Sequence, residues 1–188
     1  MTVIALVGMP GSGKSSVGRQ LARRLTWAFA DADAEIEHQV GCTIRDYFER
    51  HGEPAFRDAE QAALSSLLSR DRLVLATGGG AVVREANRRA LATQSEVVYL
   101  RSTAEELMRR LRHDTHRPLL QVNDPMRKLR DLFQERDPLY RECARFVIET
   151  GRPSVKILVG MILMQLELAG VIDPSQVPSP VVTDRKDS

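Results

Sequence analysis

The chain has 188 residues, of which 43% are hydrophobic and 28% are charged, and its formal net charge is +2. This size and balance predict a single globular domain with a substantial core. So small a net charge excludes a strong electrostatic case for nucleic acid or a membrane surface as a partner. Cys42 and Cys143 form no CxxC pair, and no basic leader precedes the first apolar run, so we expect a cytoplasmic protein.

Apolar runs and helical periodicity alternate along the chain. A buried strand over residues 3–7 precedes a helix over 15–25, in which Val17, Leu21 and Leu25 recur four residues apart. The same criteria predict further strands at 27–31, 73–77, 97–101 and 145–150, and helices at 33–40, 43–52, 54–69, 85–92, 102–111, 126–134 and 154–169. Strands alternating with helices predict a parallel sheet with helices on both faces, which is a three-layer α/β fold.

Two segments lack this periodicity. Residues 112–124 form a long polar loop between predicted helices, and we expect a mobile lid there. After Gly170 the sequence contains three prolines and many polar residues, which predict a disordered tail over 171–188. The single domain would therefore occupy residues 1–170.

The strongest motif joins the first strand to the first helix. Gly8, Gly13, Lys14 and Ser15 match the pattern G-x-x-x-x-G-K-[ST]. Glycines allow the backbone to wrap closely around phosphate oxygens, and the following helix presents its positive end. A lysine at this place reaches the terminal phosphates, and the serine hydroxyl is a ligand for Mg²⁺. The motif therefore predicts a nucleoside triphosphate site that uses Mg²⁺.

This loop occurs in several classes of protein, so the rest of the sequence must discriminate between them. A GTPase should carry an Asn-Lys-x-Asp base reader, but Asn87 and Asn123 are followed by arginine and aspartate. A motor ATPase places an acid at the end of a core strand, whereas the strands at 73–77 and 97–101 end in glycines and arginine. Acids follow only the strand at 27–31, a pattern that favours a small-molecule kinase.

Two stretches are candidates for the acceptor side of such a site. Asp31 and Asp33 alternate at a strand end, where one could approach Mg²⁺ and the other could orient a hydroxyl and take its proton. They could equally be a helix-capping pair. The run TGGGAV offers backbone N–H groups with no side chain in the way, or else a tight turn. Ligands of α/β proteins bind at this carboxyl edge of the sheet.

Three arginines are candidates for binding a phosphate or a carboxylate through the guanidinium group. Arg57 could instead pair with Glu53 or Glu60 on its own predicted helix. Arg117 lies in the long loop, where it could stabilise phosphate charge, and Arg136 precedes an expected proline break. His113 and His116 have a metal-like spacing, but without a third ligand we interpret them as surface residues.

Together these motifs resemble the shikimate kinase family over nearly the whole chain, to about Leu168. The resemblance depends on six motifs in one order, namely GMPGSGKSSVGRQLA, FADAD, GEPAFRDAE, TGGGAV, RPLL and RDPLYRECA. It implies the P-loop fold of the nucleoside monophosphate kinases, with five parallel strands in the order 2-3-1-4-5. It also implies a substrate-binding segment at about 32–60 and a closing lid.

The resemblance further implies roles for individual residues. The ATP phosphates would be wrapped by six residues of the loop: Gly11, Ser12, Gly13, Lys14, Ser15 and Ser16. Arg117 would contact the phosphates from the lid. Arg110 and Arg152 would flank the adenine. Mg²⁺ would be held by Ser15, with Asp31 in its outer shell. Asp33 would hold the shikimate hydroxyls and is the candidate base. Arg57 and Arg136 would clamp the shikimate carboxylate, and Gly78, Gly79 and Gly80 would offer backbone contacts. Phe48, Phe56 and Glu60 would line or brace this pocket.

The predicted activity is transfer of the γ-phosphoryl group of ATP to the 3-hydroxyl of shikimate, with Lys14, Asp33 and Arg117 as the catalytic residues. The resemblance also implies a monomer. Two alternatives stay open at this point. One is another small-molecule kinase, for gluconate or a nucleoside monophosphate, and the other is a nucleotide-sensing module without turnover.

Overall fold

The computed structural model describes residues 2–111, 122–151 and 153–178. Its centre is a five-stranded sheet in the order β2-β3-β1-β4-β5, in which each pair of neighbours is parallel. The strands are β1 Val3–Val7, β2 Ala28–Asp31, β3 Leu73–Ala76, β4 Glu96–Arg101 and β5 Phe146–Glu149. The helices are α1 Lys14–Leu25, α2 Ala32–Val40, α3 Ile44–Leu68, α4 Glu85–Gln94, α5 Ala104–Leu111, α6 Pro125–Cys143 and α7 Val155–Leu168.

Helices cover both faces of the sheet, and β1 shows why. Its five residues are all buried, and successive side chains point to opposite faces. Val3, Ala5 and Val7 pack in the cluster that includes α3, α4, α5 and α6. Ile4 and Leu6 pack in the other cluster, with α1 and α7. The predicted three-layer fold and the strand order are confirmed.

The strand registers bring the predicted site residues to one edge. Ala76 at the end of β3 lies beside Leu6 of β1 on one side and Asp31 of β2 on the other. Residues just after these three strands therefore share the carboxyl edge of the sheet. The glycine loop, the paired aspartates and the TGGGAV turn follow β1, β2 and β3, and this common edge is the reason that they meet.

Two helices differ from the sequence prediction. Helix α3 merges two predicted helices, with a bend at Gly52, whose φ of 80° and ψ of 175° are not helical. Thr43 caps its start by accepting a hydrogen bond from the N–H of Asp46. Helix α6 runs to Cys143 through Pro138, so the break expected near Arg136 is wrong. Burial of Leu129, Tyr140 and Cys143 against the sheet holds this helix together across the proline.

The carboxyl-terminal prediction also needs correction. Residues 171–178 are ordered and include a short 3₁₀ helix, Pro174–Gln176. Ile172 is 8% exposed, and Val171 and Val177 pack against the α1–α7 cluster, so this part is not the disordered tail expected from residue 171. The rest of the predicted tail and residues 112–121 of the predicted lid lie outside the described residues. Over the described ranges, no helix has both the length and the apolar character needed to cross a bilayer.

Candidate active site

The loop between β1 and α1 adopts a backbone conformation that favours glycine. Gly8, Gly11 and Gly13 have φ values of 152°, 84° and 94°. A Cβ on Gly8 would lie 2.6 Å from the carbonyl oxygen of Leu100, which belongs to the neighbouring strand β4. Side chains at these positions would therefore either strain the backbone or push the loop away from the sheet.

Lys14 opens α1 and folds back over this loop. Its Nζ donates to the carbonyl oxygens of Gly8 and Met9 at 2.8 and 2.9 Å, and the residue is 8% exposed. Gly13, the residue before α1, has no side chain to cap the first turn of the helix. The positive end of α1 and the Lys14 ammonium thus lie together, which is the arrangement that an anionic phosphate chain needs.

The loop forms one wall of a cavity of about 460 Å³. Asp33 from the start of α2, and Thr77 and Gly79 from the turn after β3, form the other wall. The loop contributes the rest of the lining: Pro10, Gly11, Gly13, Lys14, Ser15 and Ser16. A single cavity thus brings the phosphate-binding loop within reach of a carboxylate and of the glycine turn.

The two aspartates have different partners. One oxygen of Asp31 accepts from the Ser15 hydroxyl at 2.6 Å, and its other oxygen accepts from the Asp33 N–H at 3.1 Å. Asp31 is thus a helix cap for α2 and a partner of Ser15 at the same time. These hard oxygen donors beside the phosphate loop are of the type that Mg²⁺ prefers. No cluster of three or more His, Cys, Asp or Glu side chains suited to a metal occurs among the described residues.

Asp33 projects into the cavity, and its side chain is exposed to the water there although protein surrounds the cavity. Burial by this surrounding protein and the nearby Asp31 charge raise the pKa of Asp33 from 3.8 to about 6, while Lys14 acts in the opposite direction. Its Oδ1 lies 2.7 Å from the place of a Cβ on Gly78. Gly78 therefore leaves the space that this carboxylate occupies.

Arg57 projects from α3 toward the same glycine turn. Its guanidinium donates to Glu60 at 2.7 Å and to Glu53 at 3.4 Å, and the side chain is 12% exposed. The ion pairs that the sequence suggested thus exist. Its Nε, however, is buried and has no hydrogen-bond partner within the described part of the chain. The two carboxylates hold the guanidinium beside the glycine turn, and a planar fork of this kind is the type of donor that pairs with a small carboxylate.

The glycine turn accommodates this guanidinium. A Cβ on Gly80 would lie 2.5 Å from Nη1 of Arg57. The guanidinium carbon lies 5.2 Å from the centroid of the Phe56 ring, and Phe48 packs on Phe56 with the ring centroids 5.6 Å apart. This half of the site therefore combines a guanidinium group with an apolar wall.

Arg136 lies on α6, half-buried, and its Nε is also buried without a hydrogen-bond partner among the residues described. Arg110 on α5 donates to the Ser12 carbonyl at 3.2 Å, so it lies against the back of the phosphate loop. Arg117 and Arg152 lie outside the described residues, as do His113 and His116. The roles assigned to all of these residues stay predictions.

Sequence reasoning missed three residues at the site. Thr77 lines the cavity and its hydroxyl donates to the Leu6 carbonyl at 3.0 Å. Pro10 packs on Gly79, whose Cβ would lie 2.7 Å from the proline Cδ. Tyr140 donates to the Gly79 carbonyl at 2.6 Å. Tyr140 lies one helical turn after Arg136 within the motif RDPLYRECA, and this was the sequence signal that could have pointed to it.

A parallel sheet in this order, with a phosphate loop after its central strand and a carboxylate facing that loop, defines the P-loop kinases of small molecules. The shikimate kinase family model matches residues 10–167. The chain therefore belongs to the shikimate kinase family.

Individual relatives agree with this assignment. The shikimate kinase of Burkholderia thailandensis is 53% identical over 169 residues, which are 90% of this chain and 92% of that protein. Among solved structures, the shikimate kinase from Acinetobacter baumannii in complex with shikimate is 47% identical, with a TM-score of 0.85 and coverage of 92% of this chain and 96% of that chain. A gluconokinase from Sinorhizobium meliloti is 21% identical with a TM-score of 0.62, covering 89% and 93%, and shares the fold alone.

Proposed function

We propose that the protein transfers the γ-phosphoryl group of ATP to the 3-hydroxyl of shikimate, giving shikimate 3-phosphate and ADP. The observation that carries this proposal is the single cavity in which Asp33 faces the phosphate loop and Lys14. A donor and an acceptor bound on its two walls would meet between them. The match to a relative solved with shikimate bound supports the choice of acceptor.

On the donor side, residues 11–16 would wrap the phosphates of ATP, with Lys14 moving from its carbonyl partners onto the terminal phosphate. Arg110 and Arg152 would flank the adenine, and Arg117 would contact the phosphates. Ser15 and Asp31, whose oxygens are 2.6 Å apart, would hold Mg²⁺ directly and through water, respectively. Bound there, the ion neutralises charge on the transferring group.

On the acceptor side, Arg57 and Arg136 would bind the shikimate carboxylate, because a planar fork matches two carboxylate oxygens. Gly78, Gly79 and Gly80 would allow the ring to approach the backbone. Asp33 would then accept a hydrogen bond from the reacting hydroxyl.

The chemistry needs little beyond this placement. The hydroxyl oxygen forms a bond to the γ-phosphorus while the bond to the β,γ-bridging oxygen breaks, and ADP leaves. Asp33, with a pKa of about 6, is largely ionised at neutral pH and can take the hydroxyl proton. Positioning and charge stabilisation supply most of the rate in such transfers.

The test is ADP release measured with shikimate, gluconate or AMP as the acceptor, for the native protein and for Lys14→Met. Of the three acceptors, we expect only shikimate to support turnover. In Lys14→Met the turnover rate should fall at least about a thousandfold, because the charge that meets the terminal phosphate is gone. Circular dichroism should show the variant folded. Turnover with gluconate or AMP would identify another kinase, and nucleotide binding without turnover would identify a sensing module.

We also propose that the active form is a monomer, as the family resemblance implies. Light scattering should then give a mass near 21.0 kDa. We also propose that the protein acts in the cytoplasm, where ATP is available, without a nucleic acid or membrane partner.

A further inference from the structure

The hydroxyl of Tyr140 joins α6 to the glycine turn. It donates to the Gly79 carbonyl at 2.6 Å, and the tyrosine is fully buried. Its ring lies against the ring of Tyr99, with centroids 4.9 Å apart. Tyr140 therefore has a fixed place in the core from which it can determine the direction of one backbone carbonyl.

That carbonyl belongs to the peptide between Gly79 and Gly80. In a planar trans peptide the C=O and N–H groups point in opposite directions, so fixing the carbonyl of Gly79 also fixes the N–H of Gly80 on the opposite side. Glycine peptides rotate easily, so that an external hydrogen bond has more effect here than elsewhere. Neither Gly79 nor Gly80 has a hydrogen bond from its N–H to a partner among the described residues.

The same turn contacts the other parts of the site. Pro10 of the phosphate loop packs on Gly79, and the Arg57 guanidinium packs on Gly80. Arg136 lies one helical turn before Tyr140, close enough to the hydroxyl to lower its pKa against the stronger raising effect of burial. Tyr140 thus contacts the glycine turn through its hydroxyl and lies near Arg136, while it is not part of the cavity lining.

We infer that Tyr140 is a positioning residue for the acceptor, which orients the Gly79–Gly80 peptide toward shikimate. The inference rests on the proposed function, since it concerns binding of that substrate. It assigns to Tyr140 no contact with shikimate and no part in nucleotide binding. Removal of the hydroxyl should therefore weaken the acceptor half of the site selectively.

The test compares Tyr140→Phe with Tyr99→Phe. Each variant removes one buried tyrosine hydroxyl from the same pair of rings, but the Tyr99 hydroxyl donates to Asp137 at 2.8 Å and not to the turn. Asp137 keeps Arg101 and Arg141 as partners, so its carboxylate stays paired. Any general effect of loosening this part of the core should then appear in both variants.

We expect the KM for shikimate to rise about fivefold or more in Tyr140→Phe, as for the loss of one net hydrogen bond, with the KM for ATP unchanged. Tyr99→Phe should keep both KM values. Calorimetric titration of shikimate should show the same selective loss. A KM for shikimate within about a factor of two of the native value would overturn the inference, as would an equal effect of Tyr99→Phe.

Loss of folding or of ATP-analogue binding in Tyr140→Phe would also overturn it, because the hydroxyl would then support the fold as a whole. The native protein is assayed first. A native protein without shikimate-dependent ADP release would refute the proposed function, whereas an active native protein with an unaffected Tyr140→Phe variant refutes only the role of Tyr140.

Discussion

Asp33 shows how a single residue can be tuned by its neighbours. Surrounding protein and the Asp31 charge raise its pKa, and Lys14 across the cavity limits the rise. A carboxyl group with a pKa near 6 is a better proton acceptor than an ordinary aspartate, yet it is still ionised at neutral pH. The same tuning must affect stability, because the native state holds a proton that the unfolded chain has already lost.

The first prediction concerns Asp33→Asn. Between the unfolded pKa of 3.8 and the folded pKa of about 6, the native protein binds more protons than the unfolded chain, so its free energy of unfolding should fall as the pH rises. The asparagine side chain does not titrate, so this fall in the free energy of unfolding is absent from the variant. Urea unfolding at pH 4 to 8 should show the variant gaining stability relative to the native protein up to about pH 6, and then a constant difference.

Because water in the cavity reaches Asp33, the difference should be modest. The same variant should lose most of its turnover while it still binds an ATP analogue. A stability difference that does not change with pH, or normal turnover, contradicts the assignment of Asp33.

Gly80 offers a second prediction at this scale. A Cβ there would lie 2.5 Å from Nη1 of Arg57, so Gly80→Ala must displace the guanidinium. Loss of one charged hydrogen bond to the acceptor should raise the KM for shikimate about tenfold or more, with the KM for ATP unchanged. Steady-state kinetics measure both constants. A parallel rise in the two would show instead that the whole cavity had been distorted.

At the level of elements, local signals predicted most of the architecture. Strands β1 and β3 are buried throughout, so their apolar runs identified them, and the alternation with helices then required a parallel sheet. Pro138 misled the prediction because packing of α6 outweighs the cost of a missing N–H. The ordering of Ile172 was missed because prolines and polar residues surround it.

The site was predicted unevenly for a related reason. The phosphate loop, Asp33 and Arg57 belong to local motifs that can be recognised from their own residues. The contact between Tyr140 and Gly79 joins residues 61 positions apart, and only the folded sheet edge shows it. The lining by Thr77 and the packing of Pro10 depend in the same way on tertiary contacts.

Two glycines in helices should respond in opposite ways to alanine. Gly52 has φ 80° and ψ 175° at the bend of α3, where an L-residue is strained, so Gly52→Ala should cost about 1–3 kcal/mol. Gly160 lies in α7, exposed, with open space at its Cβ position, so Gly160→Ala should add about 0.5–1 kcal/mol. Urea unfolding measures both, and each variant is the control for the other. Effects of the same sign would contradict the assigned backbone roles.

In the molecule as a whole, the candidate active site lies at one edge of the sheet and the carboxyl-terminal segment packs at the opposite edge. The carboxyl edge carries the phosphate loop, the aspartates and the glycine turn. At the amino edge, Ile172 and Val177 close over the starts of the strands, near Thr2, Trp27 and Arg72. The carboxyl-terminal segment therefore completes the core at a distance from the catalytic cavity.

This arrangement makes Ile172→Ala a test of the separation. Ile172 packs with Leu25 and Leu166 in the α1–α7 cluster, so its truncation should cost about 2 kcal/mol and lower the Tm by about 4–8 °C. Ser175→Ala, an exposed change in the same segment, should alter stability by less than about 0.5 kcal/mol. Thermal unfolding measures the loss, and kcat/KM for shikimate should stay native in both variants well below their Tm. A reduced kcat/KM in folded Ile172→Ala would mean that strain at the amino edge reaches the cavity through the strands, and the two edges would then act as one unit.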